Sequence, residues 1–192
     1  MKTNLLDKNL AKILAFFLIS PGSRYNRKEI KEKTKMNNIP LDNTLQKLIT
    51  LKLLEQNKSL YNLNLKIEKN KEIFDTISDE YKYFNVPYSI FNILLETSEK
   101  LSKIKNINSA ILFGSFAKLI HTNKSDIDIA IILNNKIKNK NKTEKAIKKE
   151  LTKIEKKNNK QIEPHFFTQK DLNAGRSDPL IKDILRNGKE IL

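Results

Sequence analysis

The chain has 192 residues, 39% hydrophobic and 31% charged, enough apolar material for an ordinary core in one large or two small domains. It contains no cysteine, which excludes disulfides, thiolate metal sites and a cysteine nucleophile. The net charge is +15, and no run approaches the ~20 apolar residues a membrane span needs, so a cytoplasmic protein with no membrane partner is expected.

The basic excess is concentrated. Residues 1–66 hold thirteen Lys/Arg against five Asp/Glu, and residues 136–160 hold eleven against three. Such clustering suits nucleic acid or another polyanion, although lysines solvated by a lysine-rich composition explain it equally well.

Leu10, Ile13, Leu14, Phe17 and Leu18 recur at helical spacing through Asn9–Ser20, and Pro21-Gly22-Ser23 stops the helix. Its apolar patch, Ile13–Ile19, is too short to span a membrane and is followed by no small-residue cleavage site. A second helix is expected over Arg27–Thr34, a turn over Asn37–Pro40, and a third helix over Asp42–Leu51 with Leu41, Leu45, Leu48 and Ile49 inward. Leu53–Gln56 and Leu60–Leu63 read as short strands around a turn at Asn57-Lys58.

Three helices followed by a hairpin resemble a winged helix-turn-helix domain, here residues 1–66. The resemblance makes Asp42–Leu51 a recognition helix presenting Asn43, Thr44, Gln46 and Lys47 to adenine edges or phosphates of DNA. The polar face of a surface helix, or a dimerisation or docking module, fits the same pattern, and a homodimer is compatible with it. Such domains often carry glycine where Lys52 stands.

Residues 67–86 read as a linker helix around Ile73, Phe74, Ile77, Tyr81 and Phe84, ended by Pro87. Tyr88–Lys105 gives a further helix, which would pack on a sheet beginning near Ser109. The stretch Ser109–Leu133 organises the rest of the chain. Ala110–Phe113 is a short apolar strand stopped by Gly114-Ser115, and Ile127–Leu133 is a nearly continuous apolar strand, as expected of one buried on both faces. Asp126 and Asp128 stand at its start, where charge is unfavourable unless compensated. Side chains alternate along a strand, so both carboxylates point the same way, roughly 7 Å apart at Cα. That spacing lets them converge on one divalent cation or bracket a pair about 3.5–4 Å apart. Gly114 permits close backbone approach, and Ser115 offers a hydroxyl and an amide to a phosphate. A phosphate cradle followed by a two-Asp metal site is what phosphoryl chemistry on a nucleotide needs.

Gly114-Ser115, ten residues, then Asp126-Ile127-Asp128 resembles the signature of the DNA polymerase β nucleotidyltransferase superfamily, and most closely its minimal nucleotidyltransferase branch. Phe113-Gly-Ser-Phe-Ala-Lys and Ser125-Asp-Ile-Asp-Ile carry the match, while Leu119 stands where that family commonly has glycine. The resemblance implies an α/β (α+β) domain with a mixed sheet over residues 87–192. It further implies Mg²⁺ held by Asp126 and Asp128 in a two-metal site, and the triphosphate of ATP or another NTP at Gly114 and Ser115.

Beyond a lysine-asparagine loop, Thr143–Lys157 is expected to be helical, with Ala146, Ile147, Leu151 and Ile154 inward. Residues 161–168 then form the third strand. The superfamily usually places a third carboxylate here, and Glu163 is the candidate, completing the metal site or acting as general base. His165, two residues on, reads as packed or solvated. A short helix from Gln169 and a last one after Ser177-Asp178-Pro179, with Leu180, Ile181, Ile184 and Leu185 inward, close the chain.

Proteins of the resembled branch include antitoxins that AMPylate a HEPN ribonuclease toxin. Such toxins carry Arg-x4-His, and neither His121 nor His165 has arginine five positions earlier, so the implied toxin partner is a separate chain. The alternative function is a DNA-binding transcriptional regulator whose nucleotidyltransferase domain senses nucleotide without turnover.

Overall fold

The computed structural model describes residues 7–137 and 139–192. They divide into two compact units, one ending at Asn92 and the other running from Ile93 to Leu192.

The first unit begins with α1 (Lys8–Leu18), whose N-terminus is capped by the Asp7 carboxylate accepting from Asn9 N–H. Its buried Ile13, Leu14 and Phe17 are the apolar positions expected from the periodicity. A two-residue strand not legible in the sequence, β1 (Tyr25–Asn26), leads directly into α2 (Arg27–Thr34). Asn26 caps α2 in a reciprocal capping box with Glu29. Helix α3 (Asn38–Thr50) starts four residues earlier than expected, because Pro40 sits in its first turn, where a missing N–H leaves nothing unsatisfied.

β2 (Leu54–Asn57) and β3 (Leu60–Leu63) form the expected hairpin, and β1 joins it to make an antiparallel sheet of order β1-β3-β2. Lys52 enters that sheet with φ 56°, the left-handed conformation for which glycine is the usual choice. α4 (Asn70–Phe84) belongs to this unit. The Asn70 amide nitrogen donates to the Lys52 carbonyl at 2.9 Å and to the Asn64 carbonyl at 3.0 Å, which ties the start of α4 to the turn below α3.

α5 (Tyr88–Ser102) contributes its last residues to the second unit. There β4 (Ile107–Leu112), β5 (Ile127–Leu133), β6 (Ile162–Thr168) and the two-residue β7 (Lys189–Glu190) form a sheet of order β6-β5-β4-β7. β5 pairs parallel with β6 and antiparallel with β4, so the sheet is mixed. The helices are the four-residue α6 (Gly114–Ala117), α7 (Lys140–Asn158), α8 (Gln169–Ala174) and α9 (Pro179–Asn187).

Alternation along β5 divides the core. Ala130 and Ile132 on one face meet Phe113, Leu172, Ile181 and Ile184, with Ile111 and Phe167 packed against them. Burying each of the large side chains contributes about 1.5–3 kcal/mol. Of the α9 positions expected inward, Ile181 and Ile184 are buried, but Leu180 and Leu185 are 39% and 54% exposed. The helix buries a narrower stripe than its four apolar residues suggest, since only one side of it meets the sheet. Among the described residues, no helix is long and apolar enough to cross a membrane.

Candidate active site

The face of the second sheet that packs against α8 and α9 runs out of apolar residues at one end, and the charged residues begin there. In the β5–β6 register, Ile132 stands beside Phe167, Ala130 beside His165, and Asp128 beside Glu163. Successive pairs therefore pass from apolar to acidic along a single face. Parallel pairing brings the carboxylates of two distant segments together, which the Asp-x-Asp spacing alone could not do. Glu163 tolerates a following proline because β6 is an edge strand, where the N–H that Pro164 lacks has no ladder partner to serve.

Asp128 lies under the turn at Gly114. Phe113 N–H donates to the Asp128 carbonyl at 3.1 Å, pinning the end of β4 to the start of β5. Gly114 has φ 68°, and a Cβ there would collide with Asp128 Oδ2 and lie 3.0 Å from Asp128 Cγ. A side chain is thus excluded twice over, by backbone conformation and by the carboxylate. Ser115 follows, half-buried, in the first turn of α6. Leu119 completes the turn after α6 with φ 61°, again left-handed at a position where the resembled family has glycine.

Asp128, Glu163 and His165 each place one ligand atom within 4.8 Å of the others. His165 Nε2 is 3.9 Å from Asp128 Oδ1 and 3.7 Å from Glu163 Oε1. Asp126 is outside this set of three, but its charge acts on Asp128. Burial holds the Asp128 carboxyl above its ordinary value, opposed by His165 and reinforced by the charges of Glu163, Asp126 and Asp183. Crowded carboxylates beside an imidazole form a donor set that suits a divalent cation.

One group of the site was not foreseen. Asp183 on α9 accepts from Lys118 Nζ at 3.1 Å and from Asn187 Nδ2 at 2.8 Å, and it also takes the Gly114 N–H. Burial opposes ionisation of Asp183, yet these hydrogen bonds hold its carboxyl below the usual range. It closes the site from the α9 side and fixes both ends of α6. No local pattern marks it, since Asp183 occupies a polar position between apolar ones on an amphipathic helix.

The Asp128 shift has a consequence for stability. Its native carboxyl binds protons more tightly than the unfolded one, whose ordinary value is 3.8. The associated stabilisation is present below that value and is lost as pH rises through the native one. In cation-free protein, Asp128→Asn should therefore melt higher than wild type near neutral pH, with the difference shrinking as pH falls towards 4. Thermal melts across that pH range in the presence of a chelator check this. A variant that is equally or less stable at neutral pH contradicts it.

In the first unit, Asn43, Gln46 and Lys47 are exposed on α3. Thr44 is buried at 5% exposure and donates its hydroxyl to the Pro40 carbonyl, so it cannot reach DNA. It faces inward because it continues the Leu41, Leu45 and Leu48 side of the helix. Ile39, 75% exposed, shares the outer face with Asn43, Gln46 and Thr50 at i, i+4, i+7 and i+11. Lys47 Nζ lies 3.6 Å from Asp7 Oδ2.

A family model described as "Polymerase beta, Nucleotidyltransferase" matches residues 96–192. No curated protein matches the chain.

Proposed function

The chain belongs to the polymerase beta nucleotidyltransferase family, and from that premise we propose that it transfers AMP from ATP to a hydroxyl of a partner protein. The observation that carries this reading is the meeting of Asp128 and Glu163, with Asp126 in electrostatic reach, beneath the Gly114-Ser115 turn. Gly114 and Ser115 hold the triphosphate against the sheet. Asp126, Asp128 and Glu163 would hold Mg²⁺, as one ion or two, and the metal would neutralise charge developing on the transferred phosphoryl group. The acceptor oxygen attacks the α-phosphorus, the bond from that phosphorus to the β-bridging oxygen breaks, and pyrophosphate leaves. Glu163, whose side chain is 53% exposed, offers its second oxygen to the hydroxyl proton.

One feature favours a protein acceptor. Leu119 and Ile120, 44% and 70% exposed, follow directly on the Gly-Ser turn and form an apolar rim that a docked protein would cover. The partner is a separate HEPN-type toxin, and the chain acts as its antitoxin. Incubation with ATP labelled at the α-phosphate or at the γ-phosphate tests this, using the protein encoded beside it as acceptor. The α-label alone should appear on the partner's band, and label on RNA instead would overturn the protein-acceptor reading.

The first unit supports a second activity, binding of duplex DNA through a winged helix. The observation behind it is the sheet order β1-β3-β2 laid against three helices, with Ile39, Asn43 and Gln46 outward on α3. Asn and Gln pair with adenine edges, and an apolar side chain contacts the thymine methyl. Asn43→Ala with Gln46→Ala should weaken specific DNA binding by about 1–3 kcal/mol per contact, leaving nucleotidyl transfer unchanged. Gel-shift titration on the protein's own promoter reads the change, and unaltered affinity would contradict the assignment.

A further inference from the structure

His165 does something at this site that the carboxylates do not explain. Its Nε2 faces Asp128 Oδ1 and Glu163 Oε1 at 3.9 and 3.7 Å, too far to hydrogen-bond to either. The three donor atoms lie within 4.8 Å of one another, close enough for one cation at roughly 2.0–2.3 Å to reach all of them. The ring is held there by its surroundings. Phe113 packs edge-on against it, with centroids 5.1 Å apart at 73°. Ala130, its register partner on β5, has the small side chain that leaves the imidazole room. The side chains of His165 and Asp128 are 26% and 25% exposed, so solvent or substrate can take the remaining coordination positions.

We propose that His165 Nε2 is a direct ligand, with Asp128 and Glu163, of one divalent cation. The nitrogen makes this position select a transition-metal cation such as Mn²⁺ over Mg²⁺. The inference rests on the reading of Asp128 and Glu163 as metal ligands and adds a ligand to it. Its physical basis is ligand hardness: Mg²⁺ favours oxygen donors, whereas imidazole suits first-row transition ions. Asp126, outside the cluster of three, remains available to a second cation held by oxygens and the triphosphate.

The test is Mn²⁺ binding to the full chain without nucleotide, followed by electron paramagnetic resonance, with pulsed detection of nitrogen coupling. Wild type should show one imidazole nitrogen coupled to bound Mn²⁺, and the coupling pattern should change when the protein is made with heavy-nitrogen histidine. The chain has two histidines, so His121→Gln should retain the signal and His165→Gln should lose it. His165→Gln should also raise the Mn²⁺ dissociation constant by about tenfold or more, while the Mg²⁺ constant, read by competition, changes by less than about twofold. Bound Mn²⁺ with no coupled nitrogen, or a signal surviving His165→Gln, overturns the ligand assignment and leaves the carboxylate site standing. Mn²⁺ binding unaffected by Asp128→Asn overturns that site as well.

Discussion

Asp128→Asn will lower the rate of nucleotidyl transfer by about a hundredfold to a thousandfold, the range for removal of one preorganised transition-state stabiliser. ATP affinity will change much less. Asp128 is the residue on which the site converges: it stands beside Glu163 in the parallel register, faces His165, feels the charge of Asp126 and packs under Gly114. Asparagine keeps the shape and leaves one neutral oxygen in place of a carboxylate. The variant should fold, and by the burial argument above it should be more stable than wild type at neutral pH without cation. Single-turnover kinetics beside thermal melts separate the two effects. A slow but stable variant is the expected pair, and a variant retaining more than about a tenth of the rate would remove Asp128 from the chemistry.

Gly114→Ala will damage both folding and activity. Left-handed backbone disfavours a side chain by about 1–2 kcal/mol, and the collision with Asp128 Oδ2 adds an overpacking cost of about 1–3 kcal/mol. Swinging the carboxylate tip away does not relieve the clash, because the added Cβ also lies 3.0 Å from Asp128 Cγ and 3.2 Å from its Cβ. Either the turn moves or Asp128 does, and displacement of about 1 Å in a positioned group is enough to reduce the rate about a hundredfold. A fall in urea midpoint with a comparable loss of transfer is the expected result. Full activity in a folded Gly114→Ala protein would show that the turn does not position the triphosphate.

The parts of the site carried by local sequence were legible. Ile127–Leu133 was bounded correctly because a strand buried on both faces has an unmistakable composition, and Gly114 announced a turn that only glycine allows. Glu163 is expected from the family pattern, and the β5–β6 register sets it beside Asp128. His165 was read as packed or solvated because one histidine in a strand carries no signal. Alternation along β6 sets it on the face of Glu163, and the parallel β5–β6 pairing, a contact between distant segments, brings it to Asp128. Asp183 escaped for the same reason, since the packing of α9 rather than its own pattern delivers it. Thr44, expected outward as a polar residue, lies on the side that the leucine spacing itself buries, and its hydroxyl is satisfied there by donating to the Pro40 carbonyl. Lys52 and Leu119 are instructive departures. Both lack the expected glycine, yet both adopt positive φ, so the turn geometry persists without it.

Nucleotidyl transfer at this site would break the bond between the α- and β-phosphates of the nucleotide. Phosphorus NMR of ATP incubated with the protein, a divalent cation and the acceptor partner follows that bond directly. The account predicts pyrophosphate appearing in step with modified acceptor and absent with Asp128→Asn. ADP and inorganic phosphate as the products would contradict it, because they come from cleavage one bond further along the chain.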